Sequence, residues 1–248
     1  MAEALVLTLL AAAGGAALAW QAGRWGWSWD ALNHHVYLGL IAEHPRWELD
    51  VLAANYQAYV YPYLYWPIYR ISLMDGDGLT VLMVWAAAQS AMLLPPIWLA
   101  AHRLLSPSNM ARWELPLARG AACMLAYSSA IVLLAVGTTS NDLLATLPLL
   151  WALALHLGQP QLDRRAFTCA ALWGVSTAFK WSNGLMLPVL LFWWWQSAVP
   201  HLPLRRGAAI ALGAAIGFGV AYLPWGVQLW QFTGNPFYPY FQGLFGGH

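Results

Sequence analysis

Charge is scarce in this chain. Of 248 residues only 8% are charged, against roughly 25% in an ordinary soluble domain, and lysine occurs once, at Lys180. That poverty excludes nucleic acid as a partner, because phosphate binding needs a basic stripe or patch. Cysteine is nearly absent as well. Cys123 and Cys169 both fall inside apolar runs, so a disulfide framework is not expected and the thiols read as core packing. The first twenty residues lack the basic n-region of a signal peptide, their one charge being Glu3, and read as a retained span.

What the chain has instead is apolar length: 60% of its residues are hydrophobic. A span needs about 20 apolar residues, which predicts crossings at 3–23, 79–101, 117–136, 141–158, 166–179, 184–200 and 207–225. The arginines orient them. Arg103, Arg112 and Arg119 share one loop, Arg164 and Arg165 a second, and Arg205 and Arg206 a third, so the positive-inside rule puts all three in the cytoplasm. The expectation is an all-α polytopic protein of about seven spans, one transmembrane domain over 1–248, with the N-terminus inside and the C-terminus outside.

Four polar runs then share the outer face. The first is W-S-W-D-A-L-N-H-H-V-Y-L-G, Trp27 to Gly39. Helical spacing groups Asp30, Asn33, His34 and Tyr37 on one side, while His34 and His35, adjacent in sequence, diverge. That divergence argues against a two-histidine metal site. The rest of the outer loop, 24–78, is rich in aromatics with polar tips, Tyr56, Tyr59, Tyr61, Tyr63, Tyr65, Trp66 and Tyr69. It reads as two amphipathic membrane-surface helices broken near Pro45 and Pro62. Its rings suit headgroup anchoring first and sugar stacking second. D-G-D at Asp75 to Asp77 reads as a turn.

The second run, G-T-T-S-N-D at Gly137 to Asp142, is explained equally by helix capping and by a site. The third, F-K-W-S-N-G at Phe179 to Gly184, holds Lys180, a charge that at mid-bilayer would cost roughly 3 kcal/mol; both a snorkelling lysine and a phosphate partner fit it. The fourth, T-G-N-P-F-Y-P-Y-F-Q-G at Thr233 to Gly243, is a glycine- and proline-enforced turn.

Taken in order, W-D-A-L-N-H-H-V-Y-L-G, T-S-N-D-L-L, F-K-W-S-N-G and G-N-P-F-Y-P-Y-F resemble the polytopic glycosyltransferases of the C superfamily, which use polyprenyl-phosphate-linked sugars. The resemblance implies the GT-C fold, a bacterial inner-membrane location, and transfer of a sugar to an acceptor at the outer face. It implies Asp30 as the catalytic base that takes the acceptor's proton, and Lys180 as the cation offsetting charge on the departing phosphate. Asn33, His34, Tyr37, Asn141 and Asp142 would complete substrate binding, with Asn183 and Asn235 from the two remaining motifs. A divalent cation serves some relatives and not others, so the cofactor stays open.

Two departures stand out. The chain stops at His248, directly after the aromatic turn where further spans would be expected, and Asp30 is followed by Ala31 rather than by a second acid. The alternative is therefore a truncated, non-catalytic relative serving as a structural subunit of a larger membrane complex. The 17 tryptophans, Trp193, Trp194 and Trp195 among them, would supply its lipid- or partner-facing contacts. A transporter or flippase ranks last, because the ionisable groups gather at the outer boundary rather than at mid-bilayer. Haem or pigment binding through His102 or His156 is also conceivable, but lone histidines near span ends are more often interfacial residues.

Overall fold

The computed structural model describes residues 2–23, 28–50, 55–74, 77–105, 111, 113–157, 163–188, 191 and 203–246. Trp27, Asp75, Arg112, Trp193 to Trp195, His248 and most of the expected span 184–200 lie outside the described residues. Among the described residues every regular element is helical. In chain order they are α1 (Ala2–Ala22), a π-helical turn (Ala31–His35) running into α2 (Val36–Ile41), a 3-10 turn (Asn55–Tyr59), α3 (Trp66–Ser72) and α4 (Gly78–Leu104). There follow α5 (Glu114–Tyr127), α6 (Ala130–Ala135), α7 (Asp142–His156), α8 (Asp163–Phe179), a 3-10 turn (Trp181–Met186), α9 (Pro203–Thr233) and α10 (Gln242–Phe245).

Three of these helices are long and apolar enough to cross a membrane: α1, α4 and Leu204–Thr233 of α9. Their outward faces carry what water would not support. Leu5, Val6, Leu9 and Leu10 on α1, and Leu212, Val220, Leu223 and Trp230 on α9, are all exposed, apolar side chains of the kind that face lipid or a partner. The apolar run 117–136 is divided between α5 and α6, which meet at Ser128 and Ser129. α7, at 15 residues, is apolar but shorter than the other three.

With no hydrophobic drive between helices inside lipid, small residues that let backbones approach decide which helices pair. α1 lies against α4 at Gly15, where an added Cβ would stand 2.7 Å from the carbonyl oxygen of Ala86. α8 lies against α9 at three such places: a Cβ at Gly174, Gly213 or Gly217 would fall 2.2 Å, 2.4 Å or 1.9 Å from a carbonyl oxygen of the other helix. α7 bridges the two pairs by packing on both α4 and α8. At one end of α1 and α4, Glu3 accepts from Trp98 Nε1 at 2.9 Å and from Arg119 at 3.3 Å.

At the other end the segments between α1 and α4 fold over the bundle. Tyr61 and Tyr65 are 8% and 4% exposed and join Leu38, Ile41, Trp47, Trp225 and Leu229 in one core cluster. The tyrosine stretch expected at the headgroup level thus divides: Tyr56 and Trp66 are exposed, whereas Tyr61 and Tyr65 are core. Trp225 Nε1 donates to the Tyr59 carbonyl at 3.1 Å, tying the stretch to α9.

Candidate functional site

Each polar motif is placed by a local device. Asp30 stands immediately before the π-helical turn, in which the Val36 N–H reaches back to the Ala31 carbonyl five residues earlier. The wider turn draws both histidines inward. His34 and His35 are each buried, with ring centroids 4.4 Å apart edge to face, although adjacent residues of a regular helix would diverge by about 100°. His35 also stacks on Tyr65 at 4.8 Å.

The loop before α7 is held by α4. Gly137, at φ +79, donates its N–H to the fully buried Gln89 at 2.7 Å, and Trp85 Nε1 donates to the Thr138 carbonyl at 2.9 Å. Thr139 is thereby brought to His35, its Oγ1 lying 2.7 Å from Nδ1. Ser140 donates to the Asp142 carboxylate at 2.6 Å. Asn141 takes the N-cap position of α7, but its side chain makes no capping bond.

Lys180 ends α8 because its backbone is extended, at φ −150 and ψ 111. Its ammonium contacts the Asp142 carboxylate directly. Trp181, the next residue, stacks on Tyr240 with ring centroids 5.3 Å apart, which folds the C-terminal turn over the same place.

Together these segments wall an open cavity of about 940 Å³. Asp30, His34, Asn141, Asp142 and Lys180 line it, as do His35, Tyr65, Trp181 and Tyr240. Its apolar rim is α6, whose Ile131 and Leu134 line the cavity while 77% and 78% exposed. The polar wall therefore borders a surface suited to lipid.

The other residues expected at the site serve the scaffold nearby. Asn33 donates to the Trp29 carbonyl at 2.7 Å, one turn back on its own helix. Asn183 donates to the Ala145 carbonyl at 3.1 Å and to Ser176 Oγ at 2.9 Å, and so fastens α7 to α8. Asn235 is fully buried: it donates to the Tyr240 carbonyl at 2.7 Å and accepts from the Phe237 N–H at 2.9 Å, shaping the C-terminal turn. Tyr37 is outside the cavity lining, and nearby Asp50 helps push its phenol pKa upward, after burial.

Among the described lining residues, the acidic and basic side chains are Asp30, Asp142 and Lys180. Burial lowers the pKa of His34, against a smaller raising effect from Asp30, whose Oδ1 is 3.9 Å from Nδ1. Burial, reinforced by His34, lowers that of His35 to about 4. Both shifts favour the neutral imidazole. Burial raises the Tyr65 phenol, with the negative charges of Asp142 and Asp30 adding to it. His35, Tyr65 and Thr139 were not singled out by spacing. Their only signal was residue type, since His35 meets Thr139 across 104 positions of sequence.

Among the described residues no group of three or more His, Cys, Asp or Glu side chains could hold a metal ion. The donor set also fits a divalent cation poorly, because Lys180 already occupies the Asp142 carboxylate. The arrangement offers an exposed carboxylate, a paired cation and aromatic faces: the means to accept a proton, meet an anion and stack a ring. Compared with protein-family models, curated proteins and solved structures, the chain matches none.

Proposed function

We propose that this chain is a membrane glycosyltransferase-like protein that moves a sugar from a polyprenyl-phosphate donor to a hydroxyl acceptor at the outer face of a bacterial inner membrane. The observation that carries the reading is the meeting, in one cavity with an apolar rim, of residues from all four motifs: Asp30, Asp142, Lys180 and Tyr240. The reading includes seven crossings with the N-terminus cytoplasmic, which would set the cavity outside. A long-chain lipid phosphate could then rest its tail along Ile131 and Leu134 and its headgroup beside Lys180.

Asp30, with its side chain 58% exposed at the cavity, accepts the proton of the acceptor hydroxyl as that oxygen bonds to the anomeric carbon. The bond from the anomeric carbon to the phosphate oxygen breaks on the opposite side, so configuration inverts and the phosphate leaves with the electron pair. Lys180 offsets the charge that develops there. Neutral His34 and His35 are hydrogen-bonding groups for sugar hydroxyls rather than additional charges.

The purified chain in liposomes, given a radiolabelled synthetic polyprenyl-phosphate sugar and its membrane acceptors, should transfer label. Asp30→Asn should lower the rate about 10²- to 10⁴-fold, the range for a lost general base, with insertion and folding unchanged. Normal transfer by that variant would remove Asp30 from the role. The second reading, a non-catalytic subunit of a larger membrane complex, draws on the Asp142 contact that already neutralises Lys180. It gains if the wild-type chain transfers nothing and native mass spectrometry finds it in a fixed assembly without bound polyprenyl phosphate.

A further inference from the structure

The ring of His35 is held on its faces and open at one edge. Tyr65 stacks on it with centroids 4.8 Å apart and planes at 25°, and His34 meets it edge to face at 4.4 Å. Its Nδ1 lies 2.7 Å from Thr139 Oγ1. Stacking sets the plane of the ring and the hydrogen bond sets its rotation within that plane, so together they fix the direction of Nε2. Nε2 makes no hydrogen bond to a described residue, yet it is not sealed from solvent as His34 Nδ1 is. His35 borders the cavity, and Nε2 is the edge it presents there.

What Nε2 offers depends on where the ring carries its proton, and Thr139 decides that. Thr139 is 4% exposed, and its hydroxyl has no partner among the described residues other than His35 Nδ1. If the ring donated from Nδ1, the Thr139 hydroxyl proton would be buried without an acceptor, a penalty that is avoided when the hydroxyl donates instead. With Nδ1 accepting, the proton of the neutral ring is on Nε2. Burial, reinforced by His34, lowers the pKa of His35 to about 4, which favours that neutral ring. The hydroxyl is presented by a fastened loop, since Gln89 accepts the Gly137 N–H at 2.7 Å and Trp85 donates to the Thr138 carbonyl at 2.9 Å.

We infer that Thr139 is a positioning residue: by donating to Nδ1 it keeps the proton of His35 on Nε2, and so gives the cavity a neutral, aimed hydrogen-bond donor for an oxygen of a lipid headgroup. That oxygen can belong to a phosphate or to a sugar hydroxyl, since both accept. The opposite tautomer would present a lone pair, which suits a hydroxyl but repels a phosphate oxygen. The choice of a lipid headgroup as ligand rests on the sugar-transfer reading above; the placement of the proton does not.

Magic-angle-spinning NMR on the full chain, with isotope-labelled histidine in phosphatidylcholine nanodiscs, reads the tautomer directly, because ring carbon Cδ2 is bonded to Nε2 and not to Nδ1. His35→Gln assigns the signals. A protonated Nε2 and an unprotonated Nδ1 are expected; a protonated Nδ1 in the neutral ring would overturn the inference. Thr139→Val keeps the side-chain shape and removes the donor. It should raise the share of the Nδ1–H form about three- to tenfold, the contribution of one hydrogen bond, and Thr139→Ser should restore the wild-type ratio. A ratio unchanged in Thr139→Val would equally sink the role of Thr139. Farnesyl phosphate and farnesyl β-glucoside, which share a tail and differ in headgroup, are then added separately. Movement of the Nε2–H signal is expected with at least one, and the one that moves it identifies the oxygen. Silence with both, beside the expected tautomer, would refute the donor role toward a headgroup. Absence of sugar transfer by the wild-type chain, with the signal still moved, would instead fell the transfer reading and leave this inference standing.

Discussion

Replacing Lys180 separates what its contact with Asp142 does for the fold from what its charge does for a ligand. The two side chains are 38% and 49% exposed and border an open cavity, so water solvates both. An exposed pair of this kind contributes about 0.2–1 kcal/mol. Lys180→Met should therefore lower the melting temperature by only about 2–4 °C, the shift that 1 kcal/mol produces in a chain of this size. Asp142 would keep its hydrogen bond from Ser140 and its favourable place at the N-terminus of α7. Transfer from a lipid phosphate should fall much further, about 10²- to 10³-fold, the loss typical when one group stabilising a leaving oxyanion is removed. Exchanging the two residues, Asp142→Lys with Lys180→Asp, sharpens the comparison. The contact is restored, though a lysine at the start of α7 opposes the helix dipole and holds recovery short of wild type by about 0.3–1 kcal/mol. Transfer should stay lost, because the cation has moved to the other wall. Thermal unfolding and radiolabel transfer, measured on the same liposomes, check both quantities. Normal transfer by the exchanged variant, or activity that tracks only the folded fraction of Lys180→Met, would refute a phosphate-facing role.

Other expectations concern the frame around the cavity. His35, whose pKa is about 4 when folded against 6.5 as its ordinary value, binds fewer protons folded than unfolded between those limits, so its contribution to stability is full above about pH 6.5 and is lost as pH falls toward 4. His35→Gln should flatten that part of the melting profile between pH 4 and 7. Gly217→Val should cost about 1–3 kcal/mol, since its Cβ would meet the Ala171 carbonyl at 1.9 Å; Gly219→Ala, with nothing within 4 Å, should leave the melting temperature unchanged or slightly raised. Asp77→Ala should lower the melting temperature through loss of the cap on α4, where the Thr80 N–H donates to its carboxylate at 2.5 Å; circular dichroism during thermal melting would register it.

The long apolar helices were legible because their signal is local and additive: α1, α4 and α9 each hold more consecutive apolar residues than a soluble surface helix tolerates. The break between α5 and α6 was not. Ser128 and Ser129 sit inside a run apolar enough to read as one segment, and residue type alone does not separate a hydroxyl that ends a helix from one that stays within it. At the site, Asp30, His34, Asn141, Asp142 and Lys180 were reachable from motif and helical spacing. Asn183 and Asn235 belong to the same motifs but face inward to the Ala145 and Tyr240 carbonyls, which only tertiary packing decides. His35 was set aside on the geometry of a regular helix, and the π-helical turn is a backbone choice with no marker in the string A-L-N-H-H.

That turn also fixes a phase. Because five residues rather than four close its hydrogen-bonded ring, everything after it, including core residues Leu38 and Ile41, is rotated relative to Asp30 from where an uninterrupted helix would carry it. A chain with one residue fewer between Asp30 and Leu38 could keep that core seated on Trp225 only by turning Asp30 to another compass point. Between such chains the aspartate would not be equivalent, however well the flanking letters aligned. Residue count across this short interval is therefore as much a part of the site's chemistry as the identity of the carboxylate.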